Sequence, residues 1–450
     1  MKLAILGGGG FRVPLVYRAL LGDKGDPRVT DVALYDPSGE RLAVISSVLA
    51  QQAAGSPDAP RVRATSSLSD ALDGAHFVFS AIRVGGLDGR TRDERIALRH
   101  GVLGQETTGA GGIAYGLRTI PIALRIASRV AESCPDAYVI NFTNPAGMIT
   151  EAMQGVLGER VIGICDTPGG LGRRLGAVLG VDATRLQLDY VGLNHLGWMR
   201  RVLLDGRDLL PELLADSRLE TLDEAAIFGV AWLQSLGCIP NEYLYYYYFA
   251  RDAIASILGQ DSTRGEFLLR QQRDFYASAT ATPGQAFDLW QRASDERSAL
   301  YMAEAKHGRD VPEAAPEAAG YEQVALAVMT AIARDEPSTI ILNVRNGSAL
   351  PGLDADAVVE LPTVVDAAGA RPLPARAPDL HQLGLMQQVK AVERFTIEAA
   401  LTGSPDAALK AFALHPLVDS VTTARKLLSE YVDAIPEVAA ALTRQPPLRS

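Results

Sequence analysis

Hydrophobic residues along the first 200 positions follow two rhythms: short continuous apolar runs, and longer stretches in which they return every three or four residues. The runs predict strands at 2–6, 31–35, 76–81, 137–141, 161–164 and 188–193. The stretches between them predict helices, among them 12–21, 40–54 and 117–133. Strand and helix in alternation describe a mostly parallel sheet with crossover helices, an α/β fold with a Rossmann-like N-terminal domain of the lactate/malate dehydrogenase type. After about Arg201 the helical rhythm dominates, at 223–236, 266–280, 322–334, 382–401 and 420–434, with a β-rich insertion at 339–344 and 358–365. The alanine-, proline- and acid-rich stretch 309–320 reads as a surface loop. The chain accordingly divides into a domain at 1–200 and a mixed α+β, mainly helical domain at 201–450 that caps its open face.

Of the 450 residues, 48% are hydrophobic and 21% charged, enough for a substantial core. A formal net charge of −10 argues against nucleic acid or an anionic membrane surface as the main partner, and an anionic small substrate would need a local cluster of arginines. Three cysteines, Cys134, Cys165 and Cys238, do not make a disulfide framework and fit a reducing cytoplasm. The opening Met1-Lys-Leu-Ala-Ile-Leu-Gly7 runs into glycines and Arg12 instead of the apolar stretch of a secretory signal. No run approaches the ~18 consecutive apolar residues of a membrane span.

The first strand feeds Gly7-Gly8-Gly9-Gly10, a turn that lets backbone amides approach a phosphate at the start of the next helix. Gly7 and Gly9 satisfy the first two positions of a dinucleotide fingerprint, while the third holds Arg12 after Phe11. Asp36, ending the second strand, is placed to hold ribose hydroxyls and favours NAD over NADP.

Cys165 and His195 each follow an apolar run, so both are expected at the carboxyl ends of neighbouring strands, where open α/β sheets bind ligands. Either alone reads better as a buried core residue than as a ligand. Together, with Asp166 and Asn194 attached, they point to a shared divalent ion with positions open to substrate, and Mn²⁺, Fe²⁺, Co²⁺, Ni²⁺ and Zn²⁺ all suit such donors. Five tyrosines follow Pro240, at 243 and 245–248. Most suit an aromatic helix face, and one suits a base if a cation lies near it, since a free phenol titrates near about pH 10. Four arginines, Arg83, Arg90, Arg92 and Arg95, crowd one segment and read either as a solvated helix face or, with Arg264, as an anion clamp.

These segments together resemble glycoside hydrolase family 4, the NAD- and divalent-metal-dependent glycosidases, and most closely its 6-phospho-β-glucosidase branch. The likeness is carried by the Gly7–Pro14 loop, Arg83-Val-Gly-Gly, Gly104-Gln-Glu-Thr107, Asn141-Phe-Thr-Asn-Pro-Ala146, Ile164-Cys-Asp166, Gly192-Leu-Asn-His195, Pro240-x-x-Tyr243 and His415-Pro-Leu-Val418. It implies NAD as cofactor, bound by Gly7, Gly8, Gly9, Gly10, Phe11, Arg12, Asp36 and Asn141, and a divalent metal, Mn²⁺ foremost, on Cys165 and His195. It implies Tyr243 as base and Asp166 as acid, with Asn144 and Glu106 near the sugar hydroxyls and metal, and the anion clamp adds Arg83, Arg90 and Arg264 to the substrate-binding residues. The loop departs from the family's usual Gly-Gly-Gly-Ser at Gly10, Phe11 and Arg12, and Ala97-Leu-Arg-His100 from its usual Pro-Leu-Lys-Tyr.

The implied reaction oxidises the sugar at C3, removes the proton at C2, eliminates the aglycone, adds water and returns the hydride. Its substrate is a phosphorylated disaccharide or glucoside, and apolar helix faces in the second half suit a homodimer or homotetramer. The alternatives are a non-phosphorylated α-glycosidase of the same family, of the α-galactosidase, α-glucosidase or α-glucuronidase type, an NAD-dependent 2-hydroxyacid dehydrogenase, and a non-catalytic NAD sensor.

Overall fold

The computed structural model describes residues 1–299, 305 and 320–443, so the loop expected at 309–320 lies outside the described residues except at its last position. One mixed sheet of 13 strands runs through the described residues. Its parallel part comprises β1 (Lys2–Leu6), β2 (Asp31–Tyr35), β3 (Arg61–Thr65), β4 (Phe77–Ser80), β5 (Tyr138–Asn141) and β6 (Val161–Gly163). These lie in the spatial order 3-2-1-4-5-6, the order of dinucleotide-binding sheets. Leu3–Leu6 of β1 and all of β4 are buried because helices cover both faces, which is why they read as unbroken apolar runs. β3, Arg-Val-Arg-Ala-Thr, was not expected: its arginines break the run, as suits an edge strand.

The rest is antiparallel: β7 (Gln187–Leu193), β8 (Leu196–Leu204), β9 (Arg207–Asp208), β10 (Ile239–Pro240), β11 (Ser338–Arg345), β12 (Val358–Asp366) and β13 (Gly369–Pro372). β11 and β12 enter the sheet between β6 and β7, pairing Asn343 with Gly163 and Glu360 with Gly192. Here the structure corrects the sequence reading. The strands bearing Cys165 and His195 are not neighbours, and β7 is antiparallel to both its partners, so His195 sits in a hairpin turn. An apolar run does not encode the direction in which its strand is laid.

The helix expected at 117–133 begins earlier, as Ala110–Ser133. A Cβ on Gly111 or Gly112 would collide with the carbonyls of Gln105 or Thr107, so glycine lets this helix start against the Gln105–Thr107 turn. The stretch expected as one helix at 223–236 is two, Asp223–Phe228 and Val230–Leu236, broken at Gly229 with φ +80°. Helix Leu380–Thr402 buries Val392, Ala399 and Ala400 in the same core as Ile113, Ala114 and Leu117, so late helices complete an early core. No helix among the described residues is long and apolar enough to cross a membrane.

Candidate active site

The glycine turn is pinned from behind by aromatic side chains of later helices. Tyr276 Oη donates to Gly9 O (2.6 Å), Trp290 Nε1 to Phe11 O (2.8 Å) and Tyr321 Oη to Arg12 O (2.9 Å). Phe11 is 5% exposed, edge-on to Phe275 at 5.3 Å and beside Trp290 at 6.2 Å. This explains the departure from glycine. Arg12 caps helix Val13–Gly22 with ordinary right-handed backbone angles, and its guanidinium lies over the Phe142 and Tyr321 rings at 5.4 and 5.0 Å. At Gly8 a Cβ would stand 2.7 Å from Leu34 Cβ, and at Gly9 3.0 Å from the Asp36 carboxylate. Asp36 accepts from Gly9 N (3.2 Å) and Ser38 N (2.9 Å), which holds it at the turn. The turn, the following helix N-terminus and Asp36 fit a dinucleotide. Asn141 is fully buried, bonded to Thr143, Ala146 O and Thr150, and thereby shapes the loop after β5.

His195 occupies the second position of the turn between β7 and β8, with φ +61°. A β-carbon residue held there is strained by about 1–3 kcal/mol and needs its surroundings to fix it. Thr107 Oγ1 lies 2.7 Å from His195 Nδ1 and gives its own proton to Gln105 Oε1 at 3.1 Å. The hydroxyl therefore accepts from Nδ1–H, leaving the Nε2 lone pair for a metal. Burial pulls the pKa of His195 down to about 4, so the ring is neutral near pH 7. Tyr243 stacks face to face on it, with centroids 3.7 Å apart and the planes 1° from parallel. Asn241 Oδ1 accepts from Tyr243 N (3.0 Å) and sets the turn that presents the phenol.

Cys165 follows β6 and is 4% exposed. Burial, then Glu360 and Asp166, push its thiol well above the ordinary value, against two hydrogen bonds from Thr167. Asp166 caps helix Thr167–Leu179 without a side-chain cap bond. Glu360, fully buried on β12, accepts from Asn343 Nδ2 (2.9 Å), Tyr190 Oη (3.0 Å) and Asn194 Nδ2 (3.4 Å). Burial nevertheless pushes its carboxyl up to about 7. Among the described residues no three His, Cys, Asp or Glu side chains form a ready ion cage. Sulfur from Cys165, nitrogen from His195 and oxygen from Asp166 are still donors suited to a first-row divalent ion, and the anionic surroundings favour a cation.

The arginine segment divides. Arg83 donates to Glu106 Oε1 (2.7 Å), and Arg90 bonds to Glu106 Oε2 and to Glu94 Oε1 (2.9 Å). Asn144 Nδ2 reaches Glu106 at 3.5 Å. Arg92 instead donates to Ala434 O, and Arg95 forms a fork with Glu266. Arg264 bonds to Arg297 O (2.8 Å), and Gly265 N to Glu94 Oε2 (2.9 Å), which brings the later helix into the cluster. Burial opposes the charge on Glu106, but Arg83, Arg90 and Arg12 outweigh it and hold the carboxyl well below its usual range. Burial, then Arg12 and Arg264, pull the Arg297 guanidinium well below its ordinary value, as crowded like charges do. Arg90 also feels the field of Tyr243, and His195 that of Glu106, so the basic cluster adjoins the stacked pair.

Thr107, Arg297 and Glu360 are the additions that sequence reasoning missed. Thr107 lay inside a segment already singled out, and Glu360 is the one charge inside β12 before its terminal Asp366. Nothing in the mixed-charge helix Ala286–Ala299 marks Arg297.

Residues 2–181 match the family model described as family 4 glycosyl hydrolase, and residues 190–418 its C-terminal domain. A probable 6-phospho-β-glucosidase of Bacillus subtilis (strain 168) is 31% identical over 444 residues, 96% of each chain. The solved 6-phospho-β-glucosidase of Thermotoga maritima with manganese, NAD⁺ and glucose-6-phosphate matches with a TM-score of 0.82 at 29% identity, covering 97% of this chain and 99% of that one. A solved 6-phospho-α-glucosidase from gut microorganisms, in complex with NAD and Mn²⁺, matches at 0.80 and 25% identity, covering 97% and 98%.

Proposed function

The chain belongs to family 4 of the glycosyl hydrolases, and from that membership we propose that it cleaves 6-phospho-β-glucosides with the help of NAD⁺ and a divalent ion, Mn²⁺ foremost. The observation that carries the phosphorylated substrate is the gathering of Arg12, Arg83, Arg90, Arg264 and Arg297 around Glu106, beside the His195–Tyr243 stack. Guanidinium outnumbers carboxylate there, and guanidinium forks match phosphate oxygens.

When bound, NAD⁺ would take hydride from C3 of the sugar, and a divalent ion on Cys165 and His195 would polarise the resulting carbonyl so that the C2 proton becomes acidic. Gly7, Gly8, Gly9, Gly10, Phe11 and Arg12 line the dinucleotide's place, with Asp36 at the ribose. Tyr243 removes the C2 proton, helped by Arg90, whose charge favours the phenolate. Asp166 gives a proton to the glycosidic oxygen as the aglycone leaves; water then adds to the unsaturated sugar, and C3 would regain its hydride from the reduced dinucleotide, so no net oxidation occurs. Glu106 and Asn144 face the sugar hydroxyls, while Arg83, Arg90, Arg264 and Arg297 hold the 6-phosphate. Three free, buried cysteines suit a cytoplasmic enzyme.

The test is a panel of α- and β-nitrophenyl glucosides, each with and without 6-phosphate, assayed with NAD⁺ and Mn²⁺. The proposal expects turnover of the β-phosphorylated member above the rest. Turnover confined to the α-phosphorylated member would reassign the anomer, in line with the similar α-glucosidase, and indifference to the phosphate would refute the role of the arginines.

A further inference from the structure

Four strands cross one row of the sheet beneath the site, where Gly163 pairs with Asn343, Asn343 with Glu360 and Glu360 with Gly192. The only charge in that row is the fully buried Glu360. Its three hydrogen-bond donors, Asn343, Tyr190 and Asn194, are all neutral, and among the described residues no lysine or arginine pairs with it. A carboxylate taken out of water with neutral donors alone is destabilising.

Two hydrogen-bonded paths meet at this carboxylate. One runs through Asn194 into the turn that holds His195 at φ +61°. The other runs through Tyr190 Oη to Asn241 Nδ2 (3.1 Å), and Asn241 in turn fixes the backbone of Tyr243. One buried group thus ties the imidazole turn and the phenol turn to the same strand.

We propose that Glu360 is a positioning residue for the metal: it fixes the Asn194–His195 turn and supplies the buried negative charge that balances a divalent cation on Cys165 and His195. This rests on the metal reading above. The carboxylate is costly in the metal-free protein and is compensated when the cation arrives. Outer partners of this kind typically change metal affinity by about 10- to 100-fold.

The experiment measures Mn²⁺ binding to the NAD-free protein, by the electron paramagnetic resonance signal of free Mn²⁺, together with thermal unfolding of the metal-free protein. It compares wild type, Glu360→Gln and Tyr190→Phe. Glu360→Gln keeps the side chain's shape and removes its charge. It is expected to weaken Mn²⁺ binding by about 10- to 100-fold while the metal-free Tm stays equal or rises. Tyr190→Phe, which keeps the charge, is expected to weaken binding by less than about threefold. A Glu360→Gln affinity within about threefold of wild type overturns the proposal. So does a lowered metal-free Tm with unchanged affinity, the signature of a purely structural residue. Absence of Mn²⁺ uptake by the wild type overturns the metal reading and this proposal together, whereas equal uptake by wild type and variant overturns only this one. If Glu360→Gln does not fold, Asn194→Ala frees the same turn from a partly exposed position: weakened Mn²⁺ binding supports the proposal and undiminished binding overturns it.

Discussion

Replacing Tyr243 by phenylalanine removes one oxygen and leaves the ring that lies on His195 with a 3.7 Å centroid separation. The stack and the surrounding packing survive, so the loss of stability is at most that of a hydrogen bond, about 1 kcal/mol. The chemical effect is of another size. A general base contributes about 10²- to 10⁴-fold, so kcat should fall by that factor, equivalent to ~3–5 kcal/mol on the barrier. In the proposed reading the phosphate is held by arginines that the substitution leaves in place, so KM for a β-glucoside 6-phosphate should change by less than about threefold. Steady-state kinetics with the nitrophenyl substrate, a fluorescence titration with NAD⁺, and NMR of deuterium entering C2 in D₂O separate the possibilities. The variant should bind NAD⁺ as wild type does, reduce it in a single turnover and incorporate no deuterium. An unchanged kcat would refute the base assignment, and a parallel loss of NAD⁺ affinity and kcat would make Tyr243 a structural residue.

Other expectations follow from the same geometry. Arg83→Ala removes a charge-assisted partner, worth ~1.5–3 kcal/mol, and should raise KM for phosphorylated glucosides by ~10- to 150-fold without doing so for plain ones; an equal rise for both would sink the phosphate assignment. Gly8→Ala places a methyl group 2.7 Å from Leu34 Cβ, so the turn or β2 must shift. Calorimetric titration should show NAD⁺ affinity lowered by more than about tenfold, with ~1–3 kcal/mol of stability lost to overpacking; normal affinity would contradict the cradle. His415 is 5% exposed and burial lowers its pKa from 6.5 to about 3. The unfolded chain therefore takes up the proton first, so this stability is intact above about pH 6.5 and is lost as pH falls toward 3, ~2 kcal/mol of it by about pH 5. Urea midpoints at neutral and mildly acid pH should fall less for His415→Asn, whose oxygen can still accept from Leu417 N (3.0 Å in the wild type), and equal falls would refute the assignment.

The parallel half was legible because strands covered on both faces leave unbroken apolar runs, as β1 and β4 do. The antiparallel half was legible as elements but not as an arrangement. The runs at β7, β11 and β12 carry no mark of direction or of neighbour, so the insertion of two late strands between β6 and β7 was not readable. At the site, candidate residues stood out where their chemistry is unusual, as with Cys165, His195 and Tyr243. Arg92 and Arg95 looked identical to Arg83 and Arg90 until the helix turned them toward Ala434 and Glu266. Thr107 donates its hydroxyl proton in a hydrogen bond to Gln105 and faces His195 Nδ1, a role that depends on Thr107 and His195 meeting across 88 positions.

The insertion of β11 and β12 also sets an order of events during synthesis. Both proposed donor residues, Cys165 and His195, leave the ribosome long before the strands that seat their flanks. Only when residues 338–366 emerge can Asn343 meet Gly163 and Glu360 meet Gly192. A nascent chain stopped before that point carries the sulfur and the imidazole on a partly built sheet whose next strands are missing. Its capacity to hold a metal should therefore arrive late and abruptly, as the closing of long-range pairings does.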